Sequence, residues 1–517
     1  MSSILSGPFA DAEAALQRFL DKGAASYEAR RNFDFGPANR SNVSELSKFI
    51  SHRVLFEYDV AKRALARHQP DVIDKFIQEV FWRIYWKGWL EHRPAVWADY
   101  IAFDHDTIPT HRYQQAVTGK TGIDCFDYWS AELQNTNYLH NHARMWFASI
   151  WIFTLGLPWQ AGARFFMQHL YDGDAASNTL GWRWVAGIQT AGKHYLARAS
   201  NIAQFTNGRF APQNLNETAL PIASAKSYDI MPIDDNANYQ KKFNNLIVLE
   251  NDLYLKNEEF YAAYDAVYVL RPDSVVRSVD IAGAVTDFKM GLVSAFCEIC
   301  PDAQIIDSAE LQQIAASQTG LDIVYPSIGD NLDHLFRVRD NHGVALHLLK
   351  RPEDVFSWHY AKKGFFKNVN VDIRQYKNLK MFLHAESIVG QKPLPGEGTA
   401  EDYDRRMVAF IRLGTDILDN YYQVEIPLKP TDYKESSSNK FTADEVWHPE
   451  SNALEVPIKL LSKLKAIAIN NSGLGRVSYF DEEMNPVSEF SPISALPGFK
   501  KYKFAVKGNP SLGSIKT

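Results

Sequence analysis

Cysteine is nearly missing from this chain. Its 517 residues hold three, Cys125, Cys297 and Cys300, too few for a disulfide framework, and a reducing cytoplasm is the expected setting. No apolar run reaches the roughly 20 residues that a membrane helix needs. The best, Met145–Trp159, is interrupted by Ser149, Thr154 and Pro158. The N-terminus, Met-Ser-Ser-Ile-Leu-Ser-Gly-Pro-Phe, has neither the basic start nor the apolar stretch of a secretory signal. Positive charge is not in excess either. The formal net charge is −6, so nucleic acid would have to be met by a local basic face. Cys297-Glu-Ile-Cys300 stands without the second pair that a four-thiolate metal site requires, and reads as two thiols packed under a helix end.

What is present is apolar and aromatic. Hydrophobic residues make up 46% of the chain and aromatic ones 13%, enough for packed cores in about three domains at this length. The first 225 residues read as helical. Apolar positions recur at helical spacing over Ala10–Leu20 and over Val43–Leu55, the second after a polar Asn39-Arg40-Ser41-Asn42 turn. Lys75–Leu90 carries Phe76, Phe81, Trp82, Tyr85, Trp86 and Trp89 around its circumference, and Ile123–Leu155 reads as one long helical region. Gly119-Lys120-Thr121-Gly122 marks a turn, since the spacing of a phosphate-binding loop is absent. Residues 211–245 are rich in Pro, Asn and Asp and read as a linker. Beyond them the period changes. Leu246–Leu249, Ala266–Leu270, Gln304–Ile306 and Asp322–Tyr325 are short β-branched runs separated by helical stretches at Ile281–Phe296 and Ser308–Ser317, a parallel α/β pattern. From about residue 371 the chain alternates as strands and polar turns, at Leu379–Glu386, Ala409–Gly414, Tyr421–Leu428, Val446–Glu450 and Val506–Ser511. The expected fold is therefore multidomain: all-α over 1–225, parallel α/β over 226–370 and β-rich over 371–517.

The chemistry concentrates in Asp172-Gly-Asp-Ala-Ala-Ser-Asn-Thr-Leu-Gly-Trp-Arg-Trp184. Two carboxylates, an amide and two indoles lie there among small residues that let a large flat partner approach. Asp172 and Asp174 are costly to bury unless a cation or a ligand pairs with them. The same stretch also reads as a helix start capped by Asp with aromatic core residues behind it. Glu79, Trp82 and Arg83 share one face of the aromatic helix by their three- and four-residue spacing, which suits either a pocket wall or a Glu79–Arg83 ion pair.

Together with Leu139-His-Asn-His-Ala-Arg-Met145, Pro158-Trp-Gln-Ala-Gly-Ala-Arg-Phe-Phe166 and Glu79-Val-Phe-Trp-Arg-Ile-Tyr-Trp86, the Asp172–Trp184 stretch resembles the FAD-binding domain of the photolyase/cryptochrome family over roughly residues 25–210. The resemblance implies an FAD site formed by Tyr27, Ser44, Leu46, Ser47, Phe76, Arg83, Arg144, Asp172, Asp174 and Asn178. In it Val43-Ser-Glu-Leu-Ser-Lys48 stands for the family's pyrophosphate loop and lacks its Thr and Pro. Arg144 pairs with Asp172, and Asn178 faces the flavin. Glu79 and Asn141 are implied to contact a pyrimidine dimer, Met145 to lie beside it, and Trp82 and Trp184 to stack on it. The single Asn141 looks like the cyclobutane-dimer branch. Arg31, His142 and Gln204 fall on DNA-contacting positions, and Arg31, Lys120, Arg183 and Lys193 would form a basic rim. His140 is expected to be a surface residue without a role. Trp182 and Trp159 match the first two rings of the electron-transfer chain. The third would fall near Asp106, with Phe103, Tyr113, Trp129 or Trp151 as substitutes.

The family's α/β antenna domain normally precedes the FAD domain. Here an α/β pattern follows it, and Asn251-Asp-Leu-Tyr-Leu255 resembles that domain's opening. A permuted antenna domain and a structural cap both fit, and no residue identifies a second chromophore. The tail is similar to part of the gliding-motility/type IX secretion translocon protein of the Bacteroidetes outer membrane, and a protein partner through it is an open expectation. The resemblance implies light-driven repair of cyclobutane pyrimidine dimers in damaged DNA. The alternative is a cryptochrome-like photoreceptor that binds FAD without repair, and a third reading is an interaction protein working through its β-rich tail.

Overall fold

The structure of the protein, a computed structural model, describes residues 7–189, 194–222, 226, 228–233, 237–255, 258–355, 377–383, 408–414, 420–428, 449–472, 477–488 and 501–512. Met1–Gly364 and Phe365–Thr517 form two compact units. The first holds both the helices and a parallel sheet.

Pro70–Glu91 is the helix on which the first unit is arranged. Pro70 supplies a preset φ at the start and Asp71 an anion in the first turn. Ile73, Phe76, Val80, Ile84 and Gly88 recur every three to four residues and are buried, while Trp82 is left 47% exposed. The aromatic residues thus serve two faces rather than one core. The Val43–Leu55 helix expected from periodicity shrinks to Ser47–Ile50, because Glu45 and Arg53 take left-handed φ values of 52° and 50° and stop the helix on both sides. The long helical region at Ile123–Leu155 also divides. Asn137 ends Asp124–Thr136 in the left-handed conformation, Asn141–Ser149 begins after the His140 cap, and Ile150–Thr154 is a π-helical turn.

The sheet of the first unit comprises β1 (Asn245–Val248), β2 (Ala266–Leu270), β3 (Ala303–Ile306), β4 (Gly320–Val324) and β5 (Ala345–Leu349), all parallel in the order β3-β2-β1-β4-β5. Each expected run is a strand, and β5 is an addition. Gly283–Ile299 and Ser308–Ser317 are the intervening helices. Asp322, fully buried inside β4, is hydrogen-bonded on all sides: His347 Nδ1 lies 2.8 Å from it, the Tyr264 hydroxyl donates at 2.8 Å, and the Lys242 and Phe243 amides donate at 2.8 and 3.2 Å.

The strand order reverses between β1 and β4, where open α/β sheets bind ligands. Here the loop after β1 is filled by ion pairs. Glu250 accepts from Arg277 at 2.9 Å, Lys289 at 3.1 Å and Asn331 at 3.1 Å. Asp252 accepts from Arg53 at 2.8 Å and Arg351 at 2.5 Å. Arg53 and His52 belong to the helical part, and His52 Nδ1 reaches the Glu250 carbonyl at 2.8 Å. Helices and sheet are therefore joined by buried charge as well as by packing. Cys297 and Cys300 form no disulfide, are half-buried, and sit at the end of Gly283–Ile299.

In the second unit, β7 (Val408–Gly414), β8 (Tyr421–Pro427), β10 (Val477–Phe480), β11 (Pro486–Val487) and β12 (Lys503–Lys507) form an antiparallel sheet in the order β11-β10-β12-β8-β7. β6 (Asn378–Phe382) pairs antiparallel with β9 (Ala453–Pro457). Ile458–Ser472 is a helix that sequence alternation did not suggest, its Leu461, Leu464 and Ala468 packing with Val424, Ile426 and Phe504. The strand expected at Val446–Glu450 is corrected in its described part, since Pro449–Asn452 is a helical turn. Residues 446–448 and 384–386 lie outside the described residues. No described helix is long and apolar enough to cross a membrane.

Candidate functional site

The Asp172–Trp184 stretch begins a helix capped by aspartate, and both of its carboxylates are paired with arginines. Asp174 is the N-cap of Ala175–Ala186, its carboxylate accepting from the Ser177 amide at 2.8 Å. The same carboxylate pairs with Arg83. Arg83 also donates to the Ser51 hydroxyl at 2.8 Å, and that hydroxyl donates to the Asp172 carbonyl at 3.2 Å. Asp172 is buried, with Arg144 Nη1 3.0 Å and Arg83 Nη2 3.8 Å from its Oδ2. Burial alone would raise its carboxyl pKa. Arg144 and Arg83 outweigh that and hold it below the ordinary carboxylate range. Glu79 does not pair with Arg83. It pairs with Arg31 at 2.5 Å across a half-exposed surface.

The polar groups of this stretch suit a polar, flat cofactor. Ser177 Oγ and Trp182 Nε1 are buried with no hydrogen-bond partner among the described residues, which a native core tolerates only at a few places. Ser177 lies in the first turn of Ala175–Ala186, where anionic groups are favoured, and Trp182 further along the same helix. Asn178 is buried and its amide donates to the Ala163 carbonyl at 2.7 Å, which fixes its orientation. Phe76 and Leu46 are buried in the core beneath, and Tyr27 packs edge-on against Phe76 at 5.5 Å. Ser44 Oγ accepts from the Leu46 amide at 3.4 Å and Ser47 opens the Ser47–Ile50 turn.

The residues expected to meet a lesion differ from these in burial. Trp82 and Asn141 are exposed, and Glu79, Met145 and Trp184 are half-exposed. Trp82 stacks on Trp86 at 5.6 Å, and Trp184 on Tyr195 at 5.9 Å. Trp182 and Trp159 are buried. Trp182 fits only because residue 162 is glycine, as a Cβ there would collide with Cη2 of Trp182 and come 3.0 Å from Cε2 of Trp151. Gly162→Ala is therefore expected to destabilise the fold by about 1–3 kcal/mol through overpacking, read from chemical denaturation midpoints.

The DNA-facing set is altered. Gln204 is exposed on Ala199–Phe205 and Arg31 is half-exposed. His142, by contrast, is turned inward. Its Nδ1 lies 2.9 Å from the Asn32 carbonyl and its Nε2 3.0 Å from the Tyr195 hydroxyl, and its ring stacks on Trp146 at 4.0 Å. Both nitrogens are engaged, so neither is left for a phosphate. His140, expected at the surface, is a buried cap that accepts from the His142 amide at 3.2 Å, and burial takes its pKa down to about 4. Of the basic rim, Lys120 is exposed, Arg183 is buried and Lys193 lies outside the described residues. Sequence reasoning missed Ser51 and His52. His52 is wholly enclosed between the Glu250 and Tyr171 carbonyls, and burial takes its pKa down to about 4. The available signal was three polar residues, Ser51-His52-Arg53, between two apolar pairs.

Comparison with known proteins finds the FAD binding domain of DNA photolyase over residues 76–213 and a motility related/secretion protein family over residues 353–517. The deoxyribodipyrimidine photo-lyase of Escherichia coli is 32% identical over 195 residues, which covers 35% of this chain and 40% of that protein. The Synechococcus photo-lyase is 33% identical over 185 residues, covering 34% and 37%. The chain thus spans about two fifths of the length of the curated relatives it matches. A class III photolyase structure from Agrobacterium tumefaciens aligns at 27% identity and a TM-score of 0.34, covering 40% of this chain and 44% of that one. Residues 76–213 are thus similar to the FAD binding domain of DNA photolyase, and residues 353–517 of the same polypeptide to a motility related/secretion protein family.

Proposed function

We propose that residues 1–225 bind FAD and, under blue or near-ultraviolet light, split cyclobutane pyrimidine dimers in damaged DNA. In this proposal residues 226–370 form an antenna-like or capping domain and 371–517 a β-rich domain of uncertain role. The observation that carries it is the division of burial across one site. Asp172, Asn178 and Trp182 are sealed inside, while Glu79, Trp82, Asn141, Met145 and Trp184 remain accessible. That gradient suits a site that holds a cofactor inside and admits two linked bases of one strand from outside.

When bound, FAD supplies the light-absorbing ring and the electron. Arg83, Arg144, Asp172 and Asp174 position it. Trp82 and Trp184 stack on the extruded bases, contributing about 1–3 kcal/mol per base, against a flipping cost of a few kcal/mol that is smaller for a damaged pair. Glu79 offers its carboxyl to the lesion once the Arg31 pair opens, and Arg31 is then free for a phosphate. Arg31→Ala is expected to weaken DNA binding and to lower the salt slope by about 1, measured by titrating a dimer-bearing oligonucleotide at several salt concentrations.

The experiment for the reading as a whole is illumination of the flavin-loaded protein with dimer-containing DNA under reducing conditions. Restoration of intact pyrimidines supports it, and bound flavin without restoration overturns it. A photoreceptor without repair is the second reading, favoured by the inward-turned His142, which removes one expected DNA contact.

A further inference from the structure

The ring expected at the surface end of the electron chain is missing. Position 106 is an exposed aspartate in the short turn His105–Thr107, and a carboxylate cannot be oxidised in a tryptophan's place. Trp159, at the middle position, stacks on Tyr100 at 5.8 Å, and Tyr100 packs on Trp97 at 5.5 Å. Tyr100 and Trp97 are both buried. Among the described residues, that line of rings ends at buried Trp97.

A second line leads out. The Trp182 ring centroid is 6.1 Å from that of Trp151, nearly perpendicular, and Trp151 is 5.9 Å from Tyr113, again edge to face. Trp151 is fully buried, Tyr113 only partly so, and its neighbours Arg112 and Gln114 are exposed. Three features hold Trp151 in place. It lies in the π-helical turn Ile150–Thr154, a distortion that recurs at functional sites. Its indole N–H donates to the Pro158 carbonyl at 2.9 Å, an acceptor that favours positive charge on the ring. And Gly162 is the notch over which Trp151 and Trp182 both close.

We infer that Trp151 and Tyr113 relay oxidising equivalents from Trp182 to the surface, in place of the missing outer tryptophan. Trp182 gives one electron to the photoexcited oxidised flavin ring and is refilled from Trp151. Trp151 is refilled from Tyr113, whose phenol releases its proton to water as it is oxidised. An external thiol then returns the electron to Tyr113, so that each cycle moves one electron from thiol to flavin. The inference rests on the flavin-binding, light-driven reading above but not on DNA repair.

The test uses the full chain loaded with FAD, with flavin occupancy matched by absorbance, and follows radicals after a light flash by transient absorption and by electron paramagnetic resonance of frozen samples. The wild type is expected to show a tyrosyl radical. Tyr113→Phe should remove that signal, leaving a tryptophanyl radical that recombines, while the unfolding midpoint of the flavin-free protein stays unchanged. Trp151→Phe should cut the yield of long-lived separated charge at least about tenfold, the effect of roughly 1.4 kcal/mol on one competing barrier. Trp159→Phe is measured alongside as the competing branch. A tyrosyl signal that survives Tyr113→Phe, or a loss confined to Trp159→Phe, overturns the relay and leaves the functional reading intact. A wild-type protein that binds flavin and yields no radical, or binds none, overturns the relay together with the photochemical reading. Absence of repair with the relay pattern present leaves the relay standing and rejects repair alone.

Discussion

Glu250→Ala is expected to lower the free energy of unfolding by about 3–5 kcal/mol, the usual consequence of removing one partner from a buried charge cluster. Glu250 is fully enclosed and holds Arg277 and Lys289 on one oxygen and the Asn331 amide on the other. Without it two cations remain in a space that excludes water. The effect has a pH signature. Burial would raise the Glu250 pKa, but Lys289 and Arg277 reverse this and place the folded-state carboxyl well below the ordinary glutamate range. A depressed folded pKa contributes stability that is fully present above the unfolded value of about 4.3 and is lost as pH falls through the folded one. Wild type and variant should therefore differ fully at neutral pH and converge in acid, as followed by urea titration. Glu250→Leu combined with Arg277→Met and Lys289→Met should recover much of the loss, since charge and countercharge leave together. A difference of less than about 1 kcal/mol at neutral pH, inside the range of exposed pairs, would reject the buried-cluster account.

Where the cluster lies also explains which parts of the architecture could be read from sequence. Strands β1, β2 and β4 were visible as apolar β-branched runs because the inner strands of a parallel sheet are covered on both faces, whereas edge strand β3 exposes Gln304 and Ile305. β5, Ala345–Leu349, alternates with His347 in its middle, and that histidine is there to serve Asp322 on the neighbouring strand. A tertiary partner of this kind leaves no local trace. Likewise the periodicity of Val43–Leu55 was real, yet Arg53 adopts a left-handed backbone while it reaches Asp252 and Asp354, about 200 and 300 residues onward. Distant charge overrode local propensity.

The arginine–aspartate pairings were legible for the opposite reason. Asp172, Asp174, Arg83 and Arg144 form local motifs whose order along the chain fixes their identity, and the structure pairs Arg144 with Asp172 and Arg83 with Asp174. What stayed hidden was how exposed residues settle among themselves. Spacing on one helix offered Glu79 to Arg83, but Arg83 is drawn inward by two aspartates. Glu79 then pairs with Arg31, from a loop some fifty residues earlier. His142 has the sequence position of a DNA contact and the surroundings of a core residue. Only Tyr195 and the Asn32 carbonyl, both remote in sequence, decide between them.

Glu79→Ala follows from that arrangement and separates the readings most sharply. The Arg31–Glu79 pair is half-exposed, so its loss should change stability by only about 0.2–1 kcal/mol. Neither residue contacts Asp172, Asp174, Arg83 or Arg144 in the structure's ion pairs, so flavin absorbance should be retained. Repair should fall by about 10²-fold, the scale for losing one preorganised donor to charge that develops on a substrate. Glu79→Gln, which keeps a donor at the same reach, should recover part of that loss. DNA affinity gives a second discriminator. With Glu79 gone, Arg31 is released from its partner in the resting state and is available to phosphate, so binding of undamaged DNA should rise while repair falls. If Glu79→Ala repaired dimers at the wild-type rate, Glu79 would be only the counter-ion of Arg31, and lesion recognition would have to pass to Asn141 and the two exposed indoles.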